Sequence, residues 1–222
     1  MIIFVKQKLV ILENTKTATT SLEDFLRENN LCANLRLRYD FASAKQKAIW
    51  EDPSFFYNGF DNHVELEKAF FGVKHTDCKE YNKNFRSYIG SFETFSLIRE
   101  PLDWTISWWR MLQDDHQDWD KYKARNAPFE NFIESFENNR QTFFLLPEEG
   151  DPPIDHIFQY EQLPLAINFL QDRLGFNINL EYSNVNDRTE KPIISNELIE
   201  KFKITFADEY NLWNSVRRND KH

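Results

Sequence analysis

The chain has 222 residues, of which 41% are hydrophobic, so it is long enough to bury the core of one globular domain. Only five residues are glycine, which excludes collagen-like chains and the Gly-rich nucleotide loops GxGxxG and GxxxxGK[ST]. The 27 Lys and Arg residues against 36 Asp and Glu give a formal net charge of −9, which excludes a general binder of nucleic-acid polymers or anionic membranes. Any phosphate site must therefore be local and built without glycine.

The cysteines and the apolar runs indicate the cellular setting. Cys32 and Cys78 lie far apart and have no CxxC partner, so neither a disulfide framework nor a cysteine zinc site is indicated. The apolar opening at 1–5 is too short for a signal segment, and no run reaches the length of a transmembrane helix. A reduced, cytoplasmic location is the expectation.

The first third of the chain predicts a strand, a loop and a helix. Apolar runs at 2–5 and 9–12 predict a hairpin or a broken strand. After the polar loop 13–21, apolar residues recur at helical spacing from Leu22, with Glu23 and Asp24 expected in the first turn of that helix. Residues 40–70 have no clean period, and their aromatic cluster at 55–57 is expected among short helices and loops.

Two strands are predicted in the middle of the chain, each followed by polar residues. A strand at 69–74 leads to His75 and Thr76, and a strand at 92–98 leads to Arg99. Pro101 suits the first turn of a helix that continues to about residue 117.

The remaining pattern completes a single domain. It predicts a helix at 131–138, a turn at 150–153, a strand at 154–160, a helix at 161–174 closed by Gly175, and helices at 196–202 and 206–216. Strands alternating with helices over 1–222 predict one α/β domain with a central, mostly parallel sheet flanked by helices.

The loop at 15–21 has the composition of an anion site. Backbone amides at a helix start, several hydroxyls and the Lys16 ammonium can all face one anion. Alternatively, Thr19, Thr20 and Ser21 only cap the helix and Lys16 is solvated.

A second anion site is predicted at Arg99. Ser107 lies eight residues after it on the following helix, with Asp103 and Arg110 on the same polar face. Ligands of open α/β sheets bind at the carboxyl ends of the strands, where both sites fall, so a ligand with two separated phosphates is indicated. The alternative is a helix-start ion pair between Arg99 and Glu100 or Asp103.

These segments resemble two motifs of the PAPS-dependent sulfotransferases, in particular those of the carbohydrate type. The sequence Thr-Lys-Thr-Ala-Thr-Thr-Ser-Leu at 15–22 resembles their 5′-phosphosulfate loop, P-K-[TS]-G-[ST]-[ST]-S. Residues 96–110, with Arg99-Glu100-Pro101 and then Ser107, resemble their 3′-phosphate motif. Residues 158–163 and 207–213 are similar to the strand ending in Tyr-Glu-x-Leu and to the C-terminal helix of that family.

The resemblance implies a P-loop-like sulfotransferase fold and a set of roles. Lys16 would stabilise the leaving 5′-phosphate, and Arg99 with Ser107 would hold the 3′-phosphate. The residues implied at the 5′ end are Lys16, Thr17, Ala18, Thr19, Thr20 and Ser21. PAPS would be the donor and PAP the product, with no metal required and a small molecule or glycan as the acceptor.

The sequence departs from the family pattern in three places. Thr15 replaces the usual Pro, and Ala18 replaces the usual Gly. Alanine fits at that position with a negative φ, or with some strain. A late basic loop that helps to hold the 3′-phosphate in many members has no clear match, and Arg188 is the candidate substitute.

The acceptor hydroxyl needs a base, and His75 is the candidate because it follows a predicted strand and imidazole titrates near neutral pH. Glu13 is the rival base, although a solvated strand-end carboxylate is the alternative reading of that residue. Trp104 and Trp108 lie off the apolar stripe of their helix, so they could stack on a ring or simply pack. The other histidines show no metal-ligand spacing: His63, His116, His156 and His222.

Two other functions stay open at this stage. One is a module that binds PAP or PAPS without catalysis, and the other is a P-loop-like phosphotransferase. The second is disfavoured because no Walker lysine context and no Mg²⁺ carboxylate accompany the loop.

Overall fold

The computed structural model describes residues 1–36, 69–71, 75–86, 92–114, 128–136, 139–180 and 192–219. The strands are β1 (Ile2–Phe4), β2 (Leu9–Ile11), β3 (Cys32–Arg36), β4 (Ala69–Phe71), β5 (Glu93–Ile98) and β6 (His156–Gln159). The helices are α1 (Thr19–Glu28), α2 (Cys78–Asn84), α3 (Pro101–Asp114), α4 (Phe129–Phe136), α5 (Gln141–Leu145), α6 (Leu163–Leu174), α7 (Asn196–Thr205) and α8 (Ala207–Asn219), with a 3₁₀ turn at Tyr160–Gln162.

The strands form one mixed sheet in the order β3-β4-β1-β2-β5-β6. β1 is antiparallel to both of its neighbours, and the β3–β4, β2–β5 and β5–β6 pairs are parallel. Among the described strands, β1 alone therefore runs against the other five. The prediction of an α/β fold with a mostly parallel sheet is confirmed, and the carboxyl ends of five strands meet at one edge.

The central strands β1 and β2 are buried along their whole length, and β5 is buried beyond Glu93, so these strands are covered on both faces of the sheet. Side chains alternate along β1, so that Ile2 and Phe4 pack with α1 and α6, while Ile3 packs with α2, α5 and α8. Helices therefore cover both faces, and the edge of the sheet is left as the place where polar loops collect. A third cluster joins α3, α4 and α7 through stacked rings such as Phe202 and Phe206, whose centroids are 4.2 Å apart.

Most predicted elements are present with shifted ends. The hairpin of β1 and β2 is confirmed, with Ile2 paired to Ile11, and so are the turn at Gly150 and the helix cap at Gly175, whose φ is 77°. The expected acidic first turn of α1 is wrong, because the helix already begins at Thr19 and carries no acidic residue there. The predicted helix to residue 117 and the aromatic cluster at 55–57 extend into or lie in segments outside the described residues.

The length and hydrophobicity of the helices determine whether any of them could span a membrane. None of the helices in the described part of the chain combines the length and apolar character that crossing a bilayer requires.

Candidate functional site at the carboxyl edge of the sheet

Four segments meet where the parallel strands end. The loop at 13–18 follows β2, Arg99 follows β5 and Tyr160 follows β6. His75 lies beyond β4, whose direction matches that of β2 because both pair antiparallel with β1. The topology therefore brings both predicted anion sites and the predicted base to one edge.

The loop after β2 has an unusual backbone for its residue types. Lys16 has a φ of 60° and Ala18 a φ of 63°, in the left-handed region that favours glycine. Thr17 is fully buried and its hydroxyl donates to the carbonyl of Asn14 at 2.7 Å, which closes the turn. Ala18 is the N-cap of α1 and its side chain makes no capping hydrogen bond.

This geometry contradicts one of the two interpretations of the loop. Thr19, Thr20 and Ser21 lie inside the first turn of α1, so the suggestion that they merely cap the helix is wrong. With alanine at the cap position, no cap side chain covers the first-turn amides, and these point out of the helix start as anion donors do.

The positive φ of Ala18 gives a test of strain in this loop. Ala18→Gly should raise the free energy of unfolding by about 0.5–1 kcal/mol, because the left-handed backbone costs alanine about 1–2 kcal/mol, more than glycine loses in chain entropy. Urea unfolding of the purified variant measures this difference. Ala166→Gly, inside α6 and fully buried, is the control and should lower it by about 1 kcal/mol. A loss of stability in Ala18→Gly would mean that the loop carries no such strain.

Lys16 and Arg99 form a pair of neighbouring cations. Burial, and then the nearby Arg99 charge, lower the pKa of the Lys16 ammonium to about 8. The Lys16 Nζ lies 6.0 Å from the ring centroid of Trp108, and the Arg99 guanidinium donates to the backbone carbonyl of Lys16 at 3.2 Å. An anion placed beside them would offset both the repulsion and the burial cost.

The Arg99 side chain is held in place on three sides. Its guanidinium donates to Asp103 at 2.7 and 3.2 Å, stacks at 4.7 Å over the Tyr160 ring and, as above, reaches Lys16. The alternative interpretation of a helix-start ion pair with Asp103 is therefore present as geometry. The carboxylate of Asp103 is 38% exposed, so this pair contributes little stability and does not prevent the guanidinium from meeting a ligand.

The residue after Arg99 connects two further segments that the sequence singled out. The Glu100 carboxylate accepts hydrogen bonds from the Tyr210 hydroxyl at 2.5 Å and from the backbone of Asp103 at 2.6 Å. The backbone of Glu100 donates to Glu161 at 2.8 Å, and Glu161 also accepts from the Trp213 indole at 3.1 Å. The segments at 158–163 and 207–213 thus meet the turn at Arg99 and fix it.

Sequence reasoning missed the residue that joins the two strand ends. Gln141, the first residue of α5, is fully buried, and its Oε1 accepts from the Asn14 side chain at 3.0 Å and from the Arg99 backbone at 2.9 Å. Its Nε2 donates to the Arg99 carbonyl at 2.8 Å and to Glu209 at 3.4 Å. No local pattern marks Gln141, whereas Asn14 was detectable because it follows a buried strand at the ligand-binding edge.

His75 follows β4 in sequence, and its side chain contacts the loop that follows β2. Its Nδ1 is 3.1 Å from the carbonyl oxygen of Glu13, in the loop that carries Lys16. A carbonyl can only accept, so Nδ1 carries the proton in this hydrogen bond and Nε2 is the basic nitrogen of the neutral ring. The side chain is exposed, which suits proton exchange with a bound ligand.

The structure also gives the positions of the rival base, Glu13, and of the other residues named in the sequence analysis. Glu13 is buried and pairs with the amino group of Met1, so its interpretation as a solvated carboxylate is wrong. Thr76 does not cap α2, because Asp77 is its N-cap and accepts from the Glu80 amide at 2.7 Å. Ser107 lies half-buried on α3, two turns after Arg99, and Arg188 lies outside the described residues.

Trp104 and Trp108, two of the three tryptophans of α3, differ in their roles. Trp104 is only 4% exposed and packs in the cluster of α3, α4 and α7, so packing is confirmed for this residue. Its indole N–H donates to the carbonyl of Thr15 at 2.8 Å and so steadies the loop. Trp108 is half-buried, and its Nε1 lacks a hydrogen-bond partner in the described structure.

An open pocket borders the loop on the side of these tryptophans. Its walls include Asn14, Thr15, Asp77, Trp104, Trp108 and Phe143. Phe143 is 55% exposed, and Asp77 lies two residues after His75. Aromatic faces with a few polar groups, next to Lys16, are typical of a small-molecule site.

The chain has few detectable similarities to known proteins. The crystal structure of a sulfotransferase from Alicyclobacillus acidocaldarius is similar to the chain with a TM-score of 0.46 and 11% sequence identity, over 95% of each chain. No protein-family model matches the chain, and no curated protein matches it significantly. Any function for the chain therefore has to be inferred from the residues of the site.

A metal site needs several ligating side chains close together. Within the described ranges, no group of three or more His, Cys, Asp or Glu side chains is arranged to hold a metal ion.

Proposed function

We propose that this protein transfers a sulfuryl group from PAPS to a hydroxyl or amine of an acceptor and releases PAP. The observation that carries the proposal is the bond from the Arg99 guanidinium to the Lys16 carbonyl, at 3.2 Å, beside the cap of α1. It joins the two segments that resemble the 5′- and 3′-phosphate motifs into one cationic site. PAPS has phosphate groups at both of those positions.

The residues at this edge fit the two ends of such a nucleotide. First-turn amides of α1, with the Thr20 and Ser21 hydroxyls, are suited to the 5′ end, and Ala18 and Thr17 shape the turn that exposes them. Arg99 can bind the 3′-phosphate through two parallel N–H groups, and Ser107, two turns further along α3, is proposed as a second contact to it. Arg188 is proposed as a further contact to that phosphate on the resemblance alone.

Lys16 has the charge that the reaction needs at the 5′ end. PAPS would supply the sulfuryl group, and negative charge develops on the leaving 5′-phosphate oxygen during an in-line transfer. The Lys16 ammonium stabilises that charge from its place beside Trp108, on a loop that the Trp104 indole steadies through the Thr15 carbonyl. The residues of the site supply this stabilisation themselves, so no metal ion is required.

His75 is proposed as the general base. Its Nδ1–H bond to Glu13 fixes the tautomer and leaves Nε2 as the atom that takes the acceptor's hydroxyl proton. The same bond ties the imidazole to the loop of Lys16, so base and leaving-group cation are held by one segment.

The pocket beside the loop is proposed as the acceptor site, with a neutral carbohydrate as the favoured acceptor. Exposed aromatic faces such as Phe143 suit the apolar face of a sugar ring, while the Asp77 carboxylate suits its hydroxyls. Arg140, also in the pocket wall, is already paired with Asp208 and bonded to the Thr205 carbonyl, so it is poorly placed to recognise an anionic acceptor.

Binding of PAP tests the proposal without an acceptor. PAP at about 100 times its Kd should stabilise the native state by about 2.7 kcal/mol and raise Tm by roughly 5–10 °C, because it binds only the folded site. ATP with Mg²⁺ should give no comparable shift in the same thermal melt. Equal shifts with both ligands would favour a phosphotransferase, and no shift with millimolar PAP would refute the assignment.

Removal of the proposed base separates an enzyme from a binding module. His75→Ala should lower kcat by about 100-fold or more, since general-base catalysis contributes about 10²–10⁴-fold, and should leave the Kd for PAP unchanged. The assay is PAP release from PAPS with methyl β-D-glucoside or another neutral glycoside as acceptor. His156→Ala is the matched control, because that ring bonds Glu93 at the opposite end of β5. An undiminished kcat would remove His75 from the mechanism.

A further inference from the structure

The two anion-binding ends of the site are connected through one buried amide. Gln141 accepts from Asn14, at the end of β2, and exchanges two hydrogen bonds with the backbone of Arg99, at the end of β5. It is fully buried, so the side chain itself cannot contact a ligand. Its contribution must act through the residues that it holds.

Glu209 fixes the orientation of that amide. Its carboxylate accepts from the Gln141 Nε2 at 3.4 Å and from the Thr142 backbone at 2.6 Å. Because a carboxylate accepts here, the amide nitrogen faces α8 and the amide oxygen faces the donors of Asn14 and Arg99. The strand ends are therefore joined in one arrangement.

The two ends are also joined by the Asn14 side chain, which donates to the Leu97 carbonyl at 2.9 Å, and by the side chains of Arg99 and Trp104. The Arg99 guanidinium reaches the Lys16 carbonyl at 3.2 Å, yet a bound phosphate would compete for its N–H groups. Trp104 holds the carbonyl of Thr15, from the body of α3. Gln141 bonds the backbone of Arg99 rather than its side chain, so this connection is retained when the guanidinium binds a ligand.

We propose that Gln141 is a positioning residue that sets the separation between the Lys16 loop and Arg99, so that a nucleotide bisphosphate is bound by both ends at once. This rests on the proposed function. A ligand that meets two sites held at the right separation gains an effective concentration for the second contact, and the gain is lost when the separation is not maintained.

The test compares a two-ended ligand with its one-ended halves. Kd values for PAP, adenosine 5′-monophosphate and adenosine 3′-monophosphate are measured by calorimetry on the wild-type protein and on Gln141→Met, which keeps the side-chain length without the amide. The advantage of PAP over each monophosphate should fall at least tenfold in the variant. The Kd of each monophosphate alone should change less than threefold.

Gln171→Met is the matched control. Gln171 also bonds a backbone amide, that of Ile178 at 2.9 Å, but it lies on α6 near Arg173, whose partner Glu93 begins β5 at the opposite edge. This control should lose stability and keep the PAP advantage. If Gln141→Met does not fold, Asn14→Ala, which removes the loop-side partner of the same amide together with the bond from Asn14 to the Leu97 carbonyl, should show at least the same loss of the PAP advantage.

The outcomes separate this inference from the proposed function. PAP binding to the wild-type protein, with an unchanged PAP advantage in Gln141→Met or Asn14→Ala, would overturn the positioning role and leave the proposed function standing. An equal weakening of all three ligands would also overturn it, because that is the result of general destabilisation. Absence of PAP binding to the wild-type protein would overturn both.

Discussion

Lys16→Met should lower kcat for sulfuryl transfer by about 100- to 1000-fold, the usual cost of removing one group that stabilises developing negative charge. Methionine keeps the length and apolar stem of the side chain beside Trp108, so the loop should retain its shape. The Kd for PAP should rise much less than kcat falls, since the amides of α1 and Arg99 still bind the phosphates. Steady-state PAP release and calorimetry measure the two effects separately.

The pH dependence of kcat/KM is an independent test of the role of Lys16. Burial and Arg99 lower the pKa of Lys16 to about 8, so its cationic fraction falls as the pH rises through 8. The kcat/KM for PAPS should therefore decline above about pH 8, because that parameter reports the free enzyme. In Lys16→Arg the cation persists, and the decline should move to higher pH.

Lys8 is a matched control for both measurements. It has a φ of 51° and lies just before β2, whereas Lys16 has a φ of 60° and follows that strand, so both lysines share the left-handed backbone. Lys8→Met should leave kcat and the alkaline limb unchanged. A similar loss in Lys8→Met and Lys16→Met, or an intact kcat in Lys16→Met, would exclude the leaving-group role.

Arg99→Ala should weaken PAP binding about 100-fold, with a much smaller change in kcat at saturating PAPS. A bidentate charged contact to phosphate accounts for about 3 kcal/mol, and the 3′-phosphate does not react, so its contact affects binding in the ground state and transition state equally. Calorimetric titration with PAP measures the change. Arg99→Lys should recover only part of it, because an ammonium lacks the paired donors.

In Arg99→Ala, the effect of losing an ion pair must be separated from the effect of losing a contact to the ligand. Arg173→Ala removes an arginine that pairs with Glu93 at the other end of β5, so it controls for loss of a surface ion pair and should bind PAP normally. PAP affinity retained in Arg99→Ala would show that the guanidinium serves only its pair with Asp103.

The parts of the fold that local pattern determines were predictable from the sequence. The runs at 2–5, 9–12 and 92–98 are buried strands, and Gly175 ends α6 in a left-handed cap. β3 was missed because Cys32–Arg36 has neither strict alternation nor an apolar run, and its pairing with β4 is a long-range contact. The reversed direction of β1 follows from the hairpin, which the sequence left open beside a broken strand.

The charged residues at the two ends of the candidate site could be predicted from the sequence, and the residues that connect them could not. Lys16 and Arg99 could be selected as candidate residues because each follows a buried apolar run. The sheet topology brings the ends of those two runs together. Gln141 gives no signal, since α5 has only five residues and its partner Asn14 lies 127 residues away. Trp104 packs although it lies off the apolar stripe, because α4 and α7 cover α3 and bury a wider face than that stripe.

The alanine at the cap of α1 has a consequence for ligand recognition. A glycine loop samples many backbone conformations before it closes around a phosphate, and ordering it costs entropy at the moment of binding. Ala18, at a φ of 63°, has far fewer alternatives and is held there by the fold around it. The strain is thus accepted during folding, so a nucleotide bound at the proposed site would not bear the cost of ordering this residue.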